Sequence, residues 1–253
     1  MLYTADIGKV IQQYGLSYHS YADDNQLYSS CNQHECAALK SRMIKCIESI
    51  GEWMSSNRLM LNPSKSEFMC YASQRWTHLI DRWAFVLFDG LMNVSSSHRN
   101  LGTYFDESMS MTEYVNHLVH SCFNQLRRFR FIRRSLTTTV ATRLVNSFLI
   151  ARVDYCNSIL AGLPKYQLSR IQSVLHVAAW IVYDQARFEH VMLTLRDRLH
   201  WLCVPQKNEF KRCLLVFKAL QVLAPVDIKN YCVKVSSKSQ VIITPSPHHS
   251  STF

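Results

Sequence analysis

Apolar and polar residues alternate on both sides of a short acidic stretch near the start of the chain. Leu16-Ser17-Tyr18-His19-Ser20-Tyr21 precedes Ala22-Asp23-Asp24, and Asn25-Gln26-Leu27-Tyr28 follows. Such alternation reads as two strands joined by a turn, a β-hairpin with carboxylates at its tip. Upstream, Asp6 to Tyr14 reads as the end of a helix stopped by Gly15. Downstream, Asn32 with Glu35 forms a capping signal, and Leu39, Met43, Ile47, Ile50 and Trp53 or Met54 recur at helical spacing. A long amphipathic helix is expected there. Asn62-Pro63 breaks it, and KSEFMCYA, WAFVLFDG and NLGTYFD read as short strands that extend a small sheet.

From Ser110 the period changes. Ser110 and Glu113 repeat a Ser-x-x-Glu start, and Val115, Leu118, Cys122, Leu126 and Phe129 line one face of a helix whose other face is basic. Further amphipathic helices are expected from Thr137 to Leu160, Pro164 to Tyr183, Glu189 to Leu199 and Gln206 to Leu223. The pattern predicts an α+β fold: a small antiparallel sheet with one long helix over residues 1–106, then helices over 107–160 and 161–235. Residues 236–253, rich in Ser, Pro and His, read as a flexible tail.

Composition narrows the partners. The 253 residues are 48% apolar with six glycines and six prolines, enough to bury one large core or two smaller ones. An excess of 28 Lys and Arg over 18 Asp and Glu gives a formal charge of +10, which favours polyanions, nucleic acid first among them. Nine cysteines stand singly, without a Cys-x-x-Cys pair, as suits reduced thiols in an intracellular protein of the cytoplasm or nucleus. Asp6 and Lys9 interrupt any signal-peptide core, and Arg152 and Asp154 break the longest apolar run, so no membrane association is expected.

Two features carry candidate chemistry. Asp23 and Asp24 are adjacent, and like charges about 4 Å apart repel by roughly 4 kcal/mol at an effective dielectric near 20, so a positive partner is expected. Arg127, Arg128, Arg130, Arg133 and Arg134 are interleaved with Phe129 and Phe131 and lack acidic neighbours. Guanidinium groups in that density suit phosphate oxygens. Trp53, Trp83, Trp180 and Trp201 fall on apolar faces and read as core.

The order of strand, Tyr21-Ala22-Asp23-Asp24, strand, long helix, Asn-Pro break and Lys-x-Glu resembles the palm subdomain of a reverse transcriptase. LYTADIGKVIQQYGLSYHSYADDNQLY, WMSSNRLMLNPSKSEFM, HRNLGTYFDESMSM, ARVDYCNSILAGLPKYQLSRIQSVLH, LHWLCVPQKNEFK and VFKALQVLAP resemble successive blocks of the polyprotein of non-LTR, LINE-type retrotransposons of the jockey-like branch. The resemblance covers nearly the whole chain to about residue 232.

Such a resemblance implies an RNA-directed DNA polymerase, a nucleotidyltransferase acting with an RNA template, a DNA primer and deoxynucleotide triphosphates. It makes Asp23 the principal Mg²⁺ ligand and Asp24 a more peripheral one, two hard oxygen donors for a hard cation. Tyr21 opens the same motif beside the nucleic acid. Lys65 falls where the family's lysine approaches the triphosphate; a solvated charge is the other reading. Arg99, Asn100 and Gly102 fall in the turn that grips the primer end, or in a simple surface hairpin. The helix bearing the arginine cluster corresponds to the start of the thumb. The family also has fingers and an upstream strand with another metal-binding aspartate, for which only twenty residues precede Tyr21. A truncated copy or an incomplete gene model, inactive alone, is the expectation, with a noncatalytic nucleic-acid-binding remnant as the alternative.

Overall fold

Asp6 and Gly15 bracket the first helix, α1 (Ile7–Gln13), and a φ of +61° at Gly15, strained for any side chain, turns the chain out of it. The computed structural model describes residues 6–72, 85–87, 90–92, 95–184 and 191–232. It divides into two compact units, Met1–Glu113 and Tyr114–Phe253.

In the first unit, β1 (Ser17–Tyr21) and β2 (Asp24–Tyr28) pair antiparallel, with Tyr18 opposite Leu27 and Tyr21 opposite Asp24. The expected hairpin is present. A Cβ on Gly8 would lie 2.1 Å from the Tyr18 hydroxyl, so the missing side chain in α1 is what admits the Tyr18 ring. Below the hairpin runs α2 (Cys36–Ser56), whose entry is secured by the Asn32 amide donating to Glu35 Oε2 at 3.1 Å. Its core face is Leu39, Met43, Cys46 and Ile50, with Ile47 only half-buried. Cys46, overlooked by the apolar count, sits at 0% exposure because a free thiol packs as a small hydrophobe. These residues join Ile7, Ile11 and Leu16 in one core, against which Tyr18, Leu27, Trp53 and Phe68 pack.

KSEFMCYA is not a strand. Asn62 Oδ1 accepts from the Ser64 amide at 3.1 Å and from its hydroxyl at 2.6 Å, which curls Pro63–Lys65 into a 3₁₀ turn; only Phe68 makes a bridge beyond it. Within WAFVLFDG, β3 (Phe85–Leu87) pairs with β4 (Gly90–Met92); the rest of that segment, Trp83 included, lies outside the described residues. β5 (Ser97–Asn100) pairs with β6 (Thr103–Asp106). The described strands form three separate two-stranded ladders rather than one small sheet. A side-chain bond, Gln26 Nε2 to Asn100 Oδ1 at 2.6 Å, connects β2 with β5 in place of a backbone ladder.

α3 (Thr112–Ile132) begins two residues after Ser110, whose hydroxyl accepts from the Thr112 amide. In the second unit its face of Val115, Leu118, Cys122 and Leu126 is buried, while Phe129 is half-buried with its ring 6.3 Å from that of Phe148. Thr137 caps α4 (Thr138–Val145), which continues through a π-turn into α5 (Ala151–Asp154). The predicted helix then breaks at Cys156, with φ +52°. Pro164 precedes α6 (Lys165–Tyr183), and Asp184 at φ +50° ends it. α7 (Val191–Leu193), α8 (Val204–Leu220) and α9 (Val226–Tyr231) follow. Leu149, Leu160, Ile171, Leu175 and Leu195 are fully buried in this unit, and Trp201 is buried as expected. The fold is α+β, a mixed first unit and an all-helical described part of the second.

Candidate metal and nucleic-acid site

The hairpin tip is built from the turn upward. Tyr21 and Asp24 are the last paired residues, leaving Ala22 and Asp23 as a two-residue loop. Ala22 takes φ +56°, the left-handed value that tight hairpin loops demand at the first central position and that glycine usually fills. Asn25 braces it, donating to the Asp23 carbonyl at 3.3 Å while accepting from Ser20 Oγ at 2.6 Å. Both carboxylates are therefore exposed, Asp23 at the tip and Asp24 beside a Tyr21 that is 60% exposed.

Asp24 and Gln26, two apart on β2, share one face of the hairpin. Through Gln26 that face is linked to Asn100, one of the expected primer-grip residues. The β5–β6 loop is Leu101-Gly102 with φ +45° and +86°, both positive as in a type I′ turn, so glycine at 102 meets a backbone requirement. Arg99 is exposed and lies over the Tyr104 ring, 5.8 Å from its centroid. His98 is paired with Glu67. Just beyond, Asp106 accepts from the Ser110 amide at 2.7 Å, Ser108 Oγ at 2.8 Å and Ser110 Oγ at 3.0 Å. Burial pushes its carboxyl up, but these bonds and one from the Met111 amide outweigh it and hold the group below the usual carboxylate range.

Lys65 is exposed at the end of the 3₁₀ turn, not on a strand edge. Among the described residues no ion pair joins it to Asp23 or Asp24, and no cluster of three or more His, Cys, Asp or Glu has the geometry to hold a metal ion. Two carboxylates are the right donors for Mg²⁺, which asks for six oxygens in an octahedron. Mg²⁺ keeps several waters and is commonly held by one or two carboxylates together with substrate phosphates, so Asp23 and Asp24 are the described residues that would hold it at this tip.

Arginines of the second candidate site divide. Arg127, Arg128, Arg130 and Arg134 are exposed, form no ion pair with a described carboxylate, and flank Phe131, which is 86% exposed. Arg133 is different. Its Nε donates to the Ile181 carbonyl at 2.8 Å, its Nη1 to Leu136 O at 2.7 Å and its Nη2 to Val182 O at 2.6 Å. It closes the carboxyl end of α6 and has no free fork for phosphate, so the expected five-arginine cluster presents four.

A further pair was invisible in the sequence. Lys207 Nζ lies 3.0 Å from both carboxylate oxygens of Asp154, tying α8 to α5, and the Val204 amide donates to Gln172 Oε1 at 2.8 Å. Asp154, which lies in the ARVDYC stretch of the fourth quoted block, thus has a packing role. The Tyr155 carbonyl accepts from the Tyr114 hydroxyl, whose burial pushes its pKa up to about 12.

Comparisons with models of protein families, with curated proteins and with solved structures return no match. No helix among the described residues is long and apolar enough to cross a membrane.

Proposed function

We propose that this chain is the carboxyl-terminal part of the palm, the thumb and a downstream helical region of a LINE-type retrotransposon RNA-directed DNA polymerase. The observation that supports this reading is Tyr21-Ala22-Asp23-Asp24 at the exposed tip of a hairpin whose Tyr18 and Leu27 pack on the core shared with α1 and α2. That display, followed by the long α2 and then by the β5–β6 turn, is the order the resemblance implies. In the full family two carboxylate-held Mg²⁺ ions supply Lewis acidity and a nucleophile for nucleotidyl transfer. In this chain Asp23 and Asp24 present anionic oxygens, Asn100 is positioned by Gln26, and the four free arginines attract phosphate backbones of the RNA template and DNA primer. An intracellular location in cytoplasm or nucleus accords with that role.

The four exposed arginines around Phe131, which can bind phosphate without any metal, support a second reading, a noncatalytic nucleic-acid-binding remnant of a mobile element. One experiment separates them. Purified chain is expected to give no Mg²⁺-dependent primer extension. If the upstream reading frame encodes the further aspartate-bearing strand, joining that segment to the chain restores extension, and Asp23→Ala abolishes it. Restored extension that is indifferent to Asp23→Ala overturns the polymerase assignment; an upstream frame closed by stop codons leaves the remnant reading.

A further inference from the structure

Cys31 follows the end of β2 by three residues, and Cys36 is the first residue of α2. Their Sγ atoms are 3.6 Å apart. Cys31 is exposed and Cys36 half-buried, its thiol donating to the Asn32 carbonyl at 3.6 Å. Between them lies the Asn32–Glu35 cap of the helix. A disulfide has an S–S bond of about 2.05 Å, so side-chain rotation must bring the sulfurs some 1.5 Å closer. Cys70, further along the chain, lies within electrostatic reach of both thiols. Among the described cysteines no other pair of sulfurs is in contact.

We propose that Cys31 and Cys36 form a reversible disulfide that responds to low-molecular-weight disulfides such as oxidised glutathione. The exposed Cys31 reacts through its thiolate fraction, a minor one because burial and the neighbouring Cys36 thiol push its pKa up. That thiolate attacks one sulfur of the small disulfide, breaking its S–S bond and releasing one thiolate, which takes up the proton that Cys31 gave to water. The Cys36 thiol, on giving up its proton, then attacks Cys31 Sγ, forming the internal S–S bond and releasing the second small thiolate, which takes up that proton. Both cysteine sulfurs are oxidised and the small disulfide is reduced to two thiols, with atoms and electrons balanced. An exposed cross-link over so short a loop belongs to the labile, switchable class rather than to structural staples. Oxidation joins the exit of the Asp23-Asp24 hairpin to the first turn of α2.

The full chain is incubated with oxidised glutathione, alkylated with N-ethylmaleimide and digested with trypsin. One peptide, Val10–Lys40, holds both residues. The expected product is that peptide two hydrogens lighter, with neither cysteine alkylated, reverting to two alkylated cysteines after dithiothreitol. Exposed Cys213, which has no thiol neighbour among the described residues, carries only a glutathione adduct. Cys36→Ser should leave Cys31 trapped as its glutathione adduct, and Cys70→Ser should leave the internal bond unaffected. Adducts persisting on both Cys31 and Cys36 of the unaltered chain, or a cross-link from either to Cys70 in place of the internal bond, would overturn the assignment.

Discussion

Arg133 Nη2 lies 2.6 Å from the carbonyl oxygen of Val182, and the same guanidinium also bonds the carbonyls of Ile181 and Leu136. A helix leaves its last carbonyls without intrahelical partners, and a cation there completes them. Arg133→Ala is expected to destabilise the protein by about 2–3 kcal/mol, since it strips charge-assisted bonds from half-buried acceptors. Arg134→Ala, on an exposed side chain, should stay within about 0.5 kcal/mol. Urea unfolding of the two variants checks this, and equal losses would refute the distinction.

Four free arginines set the salt dependence of binding. If Arg127, Arg128, Arg130 and Arg134 each contact a phosphate, log affinity should fall against log salt with a slope of roughly −2.8 for single strands and −3.6 for B-form duplex. Replacing Arg127, Arg128 and Arg130 together by Gln should flatten the slope by about 2 to 3 units, equally for unrelated sequences, because phosphate contacts carry no base information. Asp23→Asn should not weaken binding. Filter-binding titrations on folded protein decide it; an unchanged slope in the triple variant would reduce the cluster to a solvated face.

Gly8 and Tyr18 are coupled by space. Gly8→Ala adds a Cβ 2.1 Å from the Tyr18 hydroxyl and 2.5 Å from its Cζ, so the ring must move. Alanine gains up to about 1 kcal/mol of helix propensity, against about 1–3 kcal/mol for overpacking, and a net loss is expected. Combining Gly8→Ala with Tyr18→Val should recover most of that loss relative to Tyr18→Val alone, with a coupling of about 1–2 kcal/mol in a double-mutant cycle. Strict additivity across the four proteins would show that the two residues do not constrain each other.

Asp106 makes stability depend on pH. Its folded carboxyl is held below the unfolded value, so its contribution is present above about pH 4 and is lost as pH falls through the lower folded value. Asp106→Asn should therefore be less stable than the unaltered chain at neutral pH, with the gap narrowing as both are acidified. Thermal unfolding between about pH 3 and pH 7 reads it out. A gap independent of pH would assign the loss to shape rather than charge.

Local rules made much of the fold readable. The hairpin tip, Gly15, the Asn32–Glu35 cap, the Pro164 helix start and the faces of α2 and α3 all rest on residues within one or two turns of each other, where dihedral preference and periodicity act directly. The same reading failed at KSEFMCYA, where the apolar and β-prone letters were outweighed by a turn that the Asn62 side chain closes on Ser64. It also missed Cys46, since a cysteine does not announce its burial.

By itself the sequence determined the basic charge, the hairpin with Asp23 and Asp24 exposed at its tip, and the positions of the long helices α2 and α3. Tertiary structure alone decided what each side chain is free to do. Arg133 meets Val182 across 49 residues, Lys207 meets Asp154 across 53, and Gln26 meets Asn100 across 74. Identical arginines in one cluster are therefore separated into four that face solvent and one that closes a helix, because a hydrogen-bond partner distant in sequence is chosen by packing, which no local pattern encodes.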